Sequence, residues 1–284
     1  MSAIASSGSL TIGGDLEVHR LGFGAMRIVG PGVWGPPQDR DAMLELLRRV
    51  VSLGINLIDT ADSYGPHLSE QLIHDALYPY PESLLIATKG GLTRSGPGQW
   101  ARNGRPEHLR EACERSLRDL RVERIDLYQL HAPDPDVPYE ESVGALAEMQ
   151  GDGLIRHIGL SNVTVEQLEE ARSIVEVVTV QNRFNLTDRS SQEVLEVCER
   201  DNLGFFPWFP LAAGELAKPG GPVAEIARNH DATTGQVALA WLLARSPVML
   251  PIPGTGSIAH LEENTDSAEL VLDEPDLQRL DEAA

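Results

Sequence analysis

The sequence has little cysteine and none of the cysteine spacings that build metal sites. Its two cysteines, Cys113 and Cys198, both fall within helical patterns, so no structural disulfide framework is expected. No Cys-x-x-Cys pair occurs, and the eight histidines are scattered along the chain. The sequence therefore predicts no bound metal, and its cysteine usage is typical of a reducing compartment.

Long apolar runs and positive charge are scarce as well. No apolar run approaches the length of a membrane-spanning helix, and the first residues lack the basic and apolar regions of a signal peptide, so we expect a cytoplasmic protein. The 43 Asp and Glu outnumber the 23 Lys and Arg, and the net charge of -20 disfavours nucleic acid and anionic membranes as partners. We expect a small-molecule partner, with the chain a monomer or a weak homo-oligomer.

What the sequence does contain is a series of eight short apolar segments separated mostly by helical patterns. Most of these segments are almost continuously apolar rather than alternating, which is typical of parallel strands buried on both faces. The predicted strands are residues 18–24, 55–60, 84–89, 125–131, 157–161, 177–184, 204–209 and 248–253.

Capping residues mark the helices between these strands. Asp39 is expected to begin a helix that Gly54 ends, and Thr164 and Thr233 each begin a capping box with a glutamine three residues later. Further helices are predicted over residues 70–78, 106–120, 139–151 and 191–201. Repeated strand–helix alternation predicts one α/β domain over the whole chain, residues 1–284, as a (β/α)8 TIM barrel. A doubly wound open sheet is the alternative.

Two features are expected outside the repeating units. The residues before Val18 read as a small N-terminal β-hairpin, turned at Gly13 and Gly14, where it would plug the barrel floor. Two Gly- and Pro-rich stretches, residues 93–105 and 211–222, are long for barrel loops and are expected near substrate and cofactor.

Polar residues stand at the carboxyl ends of several predicted strands, where barrel enzymes carry their catalytic groups. Asp59, Lys89, His131 and the pair Ser161 and Asn162 each follow an apolar run. Any one of them alone has a structural explanation, as a cap, a strand-end lysine or a rim histidine. Because the strand ends converge at one rim, we expect an acid, an amine and an imidazole to meet in one pocket.

Tyr64, on the loop after the second predicted strand, is a candidate proton donor. A phenol is a poor acid at neutral pH, and a buried ammonium beside it is expected to favour the phenolate and lower its pKa. Asp59 would keep Lys89 charged, so that these groups and Tyr64 form a chain that delivers a proton to a carbonyl oxygen. His131 is expected to orient the carbonyl and stabilise developing charge.

In this context the four residues resemble those of the aldo-keto reductases. The resemblance covers nearly the whole chain in the family's order, and its closest stretches are residues 54–65, 86–89, 130–131, 157–162, 180–182 and 251–255. It implies reduction of an aldehyde or ketone by hydride transfer, with Asp59, Tyr64, Lys89 and His131 as catalytic residues. It also implies NADP(H) as cofactor, bound in extended form across the barrel rim without a Rossmann domain.

The resemblance assigns further residues to the cofactor. Ser161, Asn162 and Gln181 are expected to hold the nicotinamide carboxamide, and Trp208 stands where the family usually has a tyrosine stacked on that ring. The other assignments are Gly24 and Met26, the pyrophosphate-loop residues Leu211, Ala212 and Gly214, the phosphate-side residues Gly254, Gly256, Ser257 and His260, and the adenine contacts Glu263 and Asn264.

One departure from the family concerns the adenosine 2′-phosphate. Many members carry a lysine and an arginine there, and the matching positions in this chain are Gly254 and His260. Backbone amides of residues 254–257, at a helix start, are expected to bind the phosphate instead, so NADPH is expected and NADH stays open. A Rossmann motif is not supported, because residues 22–27 begin like Gly-x-Gly-x-x-Gly but end on Arg27.

Several loops resemble a bacterial branch of the family that includes enzymes reducing pyridoxal to pyridoxine. Pyridoxal is therefore a substrate hypothesis, with Trp34 and Trp100 either lining its pocket or packing the loops. Two other functions stay open. The same fold serves as a non-catalytic, cofactor-binding regulatory subunit of potassium channels, and a barrel aldolase would use Lys89 as a Schiff-base nucleophile. Asp59 nearby would raise the pKa of that lysine, which disfavours the aldolase.

Overall fold

The computed structural model, which describes residues 3–212 and 218–283, is built around a parallel β-sheet. The strands of this sheet and of two hairpins are, in chain order, β1 (Ser9–Ile12), β2 (Leu16–His19), β3 (Phe23–Gly24), β4 (Leu57–Asp59), β5 (Leu85–Gly90), β6 (Leu92–Gly96), β7 (Gln99–Arg102), β8 (Ile125–Leu130), β9 (Ile155–Ser161), β10 (Val177–Arg183) and β11 (Gly204–Trp208). The sheet runs β3, β4, β5, β8, β9, β10, β11, and every neighbouring pair is parallel. A doubly wound sheet reverses its strand order at a switch point, so that alternative is wrong.

The eighth predicted strand, residues 248–253, forms no regular strand but bonds to the chain at both edges of the sheet. On one side Gly22 N donates to Pro251 O at 2.9 Å, and on the other side Phe205 N donates to Val248 O at 2.9 Å. Two prolines in the segment have no N–H to donate, which interrupts the ladder of hydrogen bonds. The segment therefore links the two outer strands through only a few bonds.

The helix caps form as predicted. Asp39 accepts a hydrogen bond from Ala42 N at 3.0 Å, Gly54 adopts a φ of +90°, and both capping boxes, at Thr164 and Thr233, are complete. The helices are α1 (Arg40–Ser52), α2 (Leu68–Leu77), α3 (Pro106–Leu120), α4 (Tyr139–Gly151), α5 (Val165–Arg172), α6 (Gln192–Asp201), α7 (Pro222–Asn229), α8 (Thr234–Arg245), α9 (Ile258–Asp266) and α10 (Glu274–Glu282). Within the described ranges, no helix is long and apolar enough to cross a bilayer.

The N-terminal hairpin is confirmed, with β1 and β2 antiparallel around Gly13 and Gly14, both at positive φ. Gly13, Gly14 and Asp15 form the turn between the paired residues Ile12 and Leu16, and the positive φ of the first two positions favours glycine. Ile12 and Val18 are buried in one apolar cluster with Leu57, Leu85, Ala87, Leu127, Val178, Phe206, Leu250 and Ile252. Because Leu57 and Leu85 are the first residues of β4 and β5, the hairpin packs near the amino ends of the strands.

Two stretches differ from their prediction. The first predicted strand is split, since β2 ends at His19 and β3 comprises only Phe23–Gly24. The predicted long loop over residues 93–105 is largely a second hairpin, β6 with β7, in which Arg94 lies opposite Trp100. This hairpin follows β5 directly and therefore stands at the carboxyl ends of the strands.

Candidate active site

The carboxyl ends of β4 and β5 place Asp59 and Lys89 in a buried ion pair. Lys89 Nζ donates to Asp59 Oδ2 at 2.7 Å and to Thr60 O at 2.8 Å. Burial by itself would lower the pKa of Lys89, but the Asp59 carboxylate and the Tyr64 phenol raise it above its ordinary value. The amine therefore stays protonated at neutral pH, as predicted.

Tyr64 lies against this ion pair, with its ring centre 5.3 Å from Lys89 Nζ. The expectation of a lowered phenol pKa is wrong, because burial raises the pKa of Tyr64 above its ordinary value, and the charge of Lys89 lowers it only in part. The negative charge of Asp59 adds to the increase. The phenol is therefore protonated throughout the neutral range, which is the form that a proton donor requires.

His131, directly after β8, completes the group. Its ring centre is 5.9 Å from that of Tyr64, and its Nδ1 is 3.5 Å from Ser63 Oγ. Burial, together with the positive charge of Lys89, holds the pKa of His131 well below its ordinary value. A neutral imidazole carries one N–H, which can donate to a carbonyl oxygen.

Two glutamines bond the second oxygen of Asp59. Gln181 Nε2 donates to Asp59 Oδ1 at 2.8 Å, and Gln129 Nε2 donates to the same oxygen at 3.3 Å. Both carboxylate oxygens are thus held, so Asp59 cannot turn away from Lys89. Sequence reasoning missed Gln129, although the alternation of a strand places it on the same face as His131, two residues later.

A cleft of about 280 Å³ opens beside the ion pair. It brings together Asp59 and Tyr64 from the predicted catalytic set and Gly24, Met26, Gln181, Trp208, Leu211, Ala212 and Gly254 from the predicted cofactor set. Its other lining residues are Arg27, Phe209, Pro210 and Ile252.

A chain of hydrogen bonds joins Trp208, on the cleft wall, to His131 of the predicted catalytic set. Trp208 Nε1 donates to Asn162 Oδ1 at 3.1 Å, and Asn162 Nδ2 donates at 3.0 Å both to Ser161 Oγ and to the carbonyl oxygen of His131. Asn162 has a φ of +60°, a region that Asn tolerates better than other non-glycine residues. Ser161 and Asn162 therefore lie next to the cleft and position its aromatic wall.

The remaining predicted cofactor residues that the structure describes do not line the cleft. Ser257 Oγ caps α9 by accepting from His260 N at 3.5 Å, and Ser257 N donates to Thr255 Oγ1 at 3.0 Å, so one amide of the predicted phosphate turn, that of Ser257, already has a partner. Glu263 accepts from Thr233 Oγ1 at 2.7 Å. Gly256, Ser257, His260, Glu263 and Asn264 are among the described residues that do not line the cleft, and Gly214 lies outside the described residues. All of the cofactor assignments, including those of the residues that line the cleft, stay predictions.

Arg27 is a cleft residue that sequence reasoning missed, because it was considered only as a failed glycine of a Rossmann motif. Its side chain is exposed and lines the cleft. A Cβ added to Gly254 would lie 2.7 Å from the carbonyl oxygen of Gly24 and 3.5 Å from Arg27 Cγ. No side chain fits at Gly254 without a backbone shift, and Arg27 is the cation that borders this position.

The two predicted pocket tryptophans lie at different distances from the catalytic group. The Trp100 ring centre is 6.3 Å from that of Tyr64 and 6.4 Å from that of His131, both edge-on. Trp34 is connected through Arg94, whose guanidinium lies 5.9 Å from the Trp34 ring centre and 3.6 Å from that of Trp100. Sequence reasoning missed Arg94 because its stretch was taken as a loop.

A second group of polar residues lies outside the cleft. His67, Glu70 and Asp119 each have one potential metal-ligand atom within 4.8 Å of the others. Burial raises the pKa of Glu70 to about 7, although Thr88 Oγ1 donates to its carboxylate at 2.6 Å. The expectation that the chain binds no metal stays a prediction.

Known proteins similar to this chain share its length and fold. Residues 20–284 match the Aldo/keto reductase family. An uncharacterized oxidoreductase of Schizosaccharomyces pombe is 50% identical over 99% of this chain and 92% of its own length, and the pyridoxine 4-dehydrogenase of Escherichia coli is 44% identical over 97% and 98%. An aldo-keto reductase from Klebsiella pneumoniae, solved in complex with NADPH, is 25% identical with a TM-score of 0.81, over 96% of this chain and 94% of that one. The family match and these relatives show that the chain belongs to the aldo/keto reductase family.

Proposed function

We propose that this protein is an oxidoreductase that uses NADPH to reduce an aldehyde or a ketone to an alcohol. The observation that carries the proposal is the buried ion pair of Lys89 and Asp59 beside a protonated Tyr64 and a neutral His131. These groups supply a proton and a hydrogen bond at one end of a cleft. The solved structure of a similar reductase with NADPH supports the choice of cofactor.

The residues of the cleft fit a nicotinamide dinucleotide. Trp208 offers a flat ring fixed by its bond to Asn162, beside Gln181 and the catalytic group. Gly24 and Gly254 pack backbone against backbone at this end of the cleft, since a Cβ added to either would lie within 2.7 Å of a carbonyl oxygen. Arg27 provides a positive charge for a phosphate at this end of the cleft, in place of the lysine absent from position 254.

The protein's own groups would act on the carbonyl oxygen. The bound cofactor supplies the hydride that reaches the carbonyl carbon. The Tyr64 hydroxyl donates its proton to the oxygen, and the charge of Lys89 stabilises the phenolate that is left. His131 donates a hydrogen bond to the same oxygen and fixes its direction. Asp59 holds Lys89 in place through their ion pair.

We also infer that the sheet closes into a (β/α)8 barrel over a single domain. The support comes from residues 248–253, which bond near β3 through Pro251 and to β11 through Val248. In a closed barrel this segment is the eighth strand, and its end stands at the same rim as Asp59 and Lys89. That position explains why Ile252 and Gly254 line the cleft.

Pyridoxal is the substrate that we propose to test first. The chain is 44% identical to a pyridoxine 4-dehydrogenase, and pyridoxal is a flat aromatic aldehyde. Trp100, edge-on to Tyr64 and His131, provides an aromatic surface at the point where the carbonyl group must lie.

Two other functions are less well supported. A Schiff-base aldolase needs a neutral, accessible amine, whereas Lys89 is fully buried, protonated and paired with Asp59. A regulatory module that binds the cofactor without turning it over would keep the same residues, so only kinetics separates it from an enzyme.

The decisive experiment is a screen of aldehydes and ketones, including pyridoxal, with NADPH and with NADH. Loss of the absorbance of the reduced cofactor, with the matching alcohol identified as product, is the expected result. Binding of NADPH without turnover of any carbonyl compound would contradict the proposal and favour the regulatory module.

A further inference from the structure

Arg94, on β6, donates all its N–H groups to backbone carbonyl oxygens. Its five hydrogen bonds are 2.7 to 3.4 Å long. The acceptors are the carbonyl oxygens of Gly32, Val33, Ser63, Gly96 and Gln99. A guanidinium has five N–H donors, so this one has none left for a ligand.

These bonds join three segments that surround the catalytic tyrosine. Ser63 directly precedes Tyr64, Gly96 and Gln99 belong to the β6–β7 hairpin, and Val33 lies on the loop after β3. Val33 has a φ of +56°, which is unfavourable for a β-branched residue. Hydrogen bonds from the Arg94 side chain to the carbonyl oxygens of Gly32 and Val33 therefore hold a strained loop in place.

The same guanidinium covers one face of the Trp100 ring. It lies 3.6 Å from the ring centre, because Arg94 and Trp100 are cross-strand neighbours of the hairpin. Trp100 nevertheless stays 40% exposed, so part of its surface is not covered by Arg94 or other groups. Its ring stands edge-on to Tyr64 and His131. A flat slot thus lies beside the two groups that act on the carbonyl oxygen.

We propose that Arg94 determines substrate shape, by holding Trp100 as a rigid wall so that flat aromatic carbonyl compounds are preferred over saturated ones of equal size. The proposal rests on the proposed carbonyl reduction and adds its specificity-determining residue. Arg94 is a positioning residue, since its donors are all in use. A planar ring can stack on Trp100 with its whole face in contact, whereas a puckered ring touches it only through its axial C–H groups.

Benzaldehyde and cyclohexanecarbaldehyde provide the test, because both carry an aldehyde on a six-membered ring and differ in planarity. The measured quantity is the ratio of kcat/KM for the two aldehydes with NADPH. Trp100→Leu is expected to lower this ratio about fivefold, the size of one aromatic contact, whereas Trp100→Phe keeps it. Arg94→Met and Arg94→Lys are expected to lower it as well, through a higher KM for benzaldehyde.

Arg102→Met is the matched control, since Arg102 is an exposed arginine on the same hairpin. The ratio of kcat/KM for the two aldehydes in this variant should equal that of the parent. An unchanged ratio in Trp100→Leu overturns the slot. An equal loss of kcat for both aldehydes in the Arg94 variants, with the ratio unchanged, overturns the role of Arg94 in specificity. Melting temperatures show whether the Arg94 variants fold. If these variants do not fold, Trp100→Leu and Trp100→Phe decide whether the slot sets the preference for flat substrates.

A failure of the proposed function is distinguishable from a failure of the slot. If the parent reduces no carbonyl compound, calorimetry measures the binding of benzyl alcohol and cyclohexylmethanol to the protein in the presence of NADP+. Tighter binding of benzyl alcohol, lost in Trp100→Leu, upholds the slot on its own. Equal binding of the two alcohols overturns it.

Discussion

At the scale of single residues, the site depends on the protonation state that each buried group holds. Lys89 is charged because Asp59 is bonded to it, His131 is neutral because it is buried beside that charge, and Tyr64 keeps its proton because burial outweighs the attraction of Lys89. Each state follows from the neighbours and not from the residue type alone. The predictions at this scale therefore concern protons and charges.

Replacing Tyr64 by Phe removes the proposed proton donor and keeps the ring. We expect kcat to fall by about 10² to 10⁴, the usual contribution of a general acid. The dissociation constant for NADPH, measured by fluorescence titration, should stay within about twofold because the cleft keeps its shape. An equal loss of turnover and cofactor binding would mean that Tyr64 has a structural role.

The pH dependence of kcat/KM reports the same groups. Since the pKa of His131 lies well below its ordinary value and that of Tyr64 lies above its own, neither group changes charge between pH 6.5 and 9. We expect kcat/KM to be constant over this range when it is measured with saturating cofactor and with an aldehyde that does not itself titrate. An inflection near pH 6.5 that disappears in His131→Asn would contradict the neutral imidazole.

Arg27 is expected to bind a phosphate of the cofactor. Arg27→Met should raise the dissociation constant for NADPH about tenfold, because a hydrogen bond to a charged group contributes roughly 1.5–3 kcal/mol. If the group recognised is the 2′-phosphate, the dissociation constant for NADH should change little. Arg48→Met, at an exposed position of α1, is the control. Unchanged NADPH binding in Arg27→Met would remove this assignment.

At the scale of elements, helix α5 begins immediately after the site residues Ser161 and Asn162. Its capping box is complete, with Thr164 Oγ1 accepting from Gln167 N at 3.3 Å and Gln167 Oε1 accepting from Thr164 N at 3.1 Å. We expect Thr164→Ala to lower the free energy of unfolding by about 1 kcal/mol in urea titrations, and Thr164→Ser to lower it much less. Equal stability of both variants and the parent would show that the cap contributes nothing measurable.

The elements also show what a sequence can reveal. Capping residues and apolar runs predicted most helices and most strands of the sheet, because these signals are local. The β6–β7 hairpin escaped notice, since its stretch is polar and rich in Gly and Pro and gains its order from Arg94 and from contacts with distant loops. The segment 248–253 was predicted as a strand from its apolar pattern, but its prolines leave too few donors for a regular ladder.

For the candidate site, it was predictable that the four proposed catalytic residues meet. Each of them stands at or just after the end of a predicted strand, and strand ends converge in a barrel. Gln129, Arg27 and Arg94 were not predictable, because their roles exist only through partners far away in sequence. The direction in which the pKa of Tyr64 is shifted could not be predicted from the sequence either, since it depends on how completely the ring is buried.

At the scale of the whole molecule, the buried Glu70 couples folding to pH. Its pKa is 4.5 when unperturbed and about 7 when folded, so between these values the folded chain binds more protons than the unfolded chain. The free energy of unfolding therefore falls as pH rises through this window, by about 3 kcal/mol for this group. Below pH 4.5 the Glu70 carboxyl is protonated in both the folded and the unfolded chain, so it adds no further pH dependence.

Glu70→Gln keeps the acceptor for Thr88 and removes the titration. We expect the stability of the parent relative to Glu70→Gln to decline between pH 4.5 and 7.5, measured by urea titration with a chelator present. Glu107→Gln, an exposed acid on α3, should show no such trend relative to the parent. A parent and a Glu70→Gln protein with parallel profiles would contradict the raised pKa.

The N-terminal hairpin contributes no reactive atom, yet it bears on acidity at the far side of the fold. Ile12 and Val18 are buried in the apolar cluster at the amino ends of the strands, opposite the carboxyl ends that carry Asp59 and Lys89. In such surroundings attraction between Lys89 and Asp59 is screened far less than it would be in water. By covering that end of the interior, the hairpin helps to keep this attraction strong enough to hold the amine of Lys89 protonated.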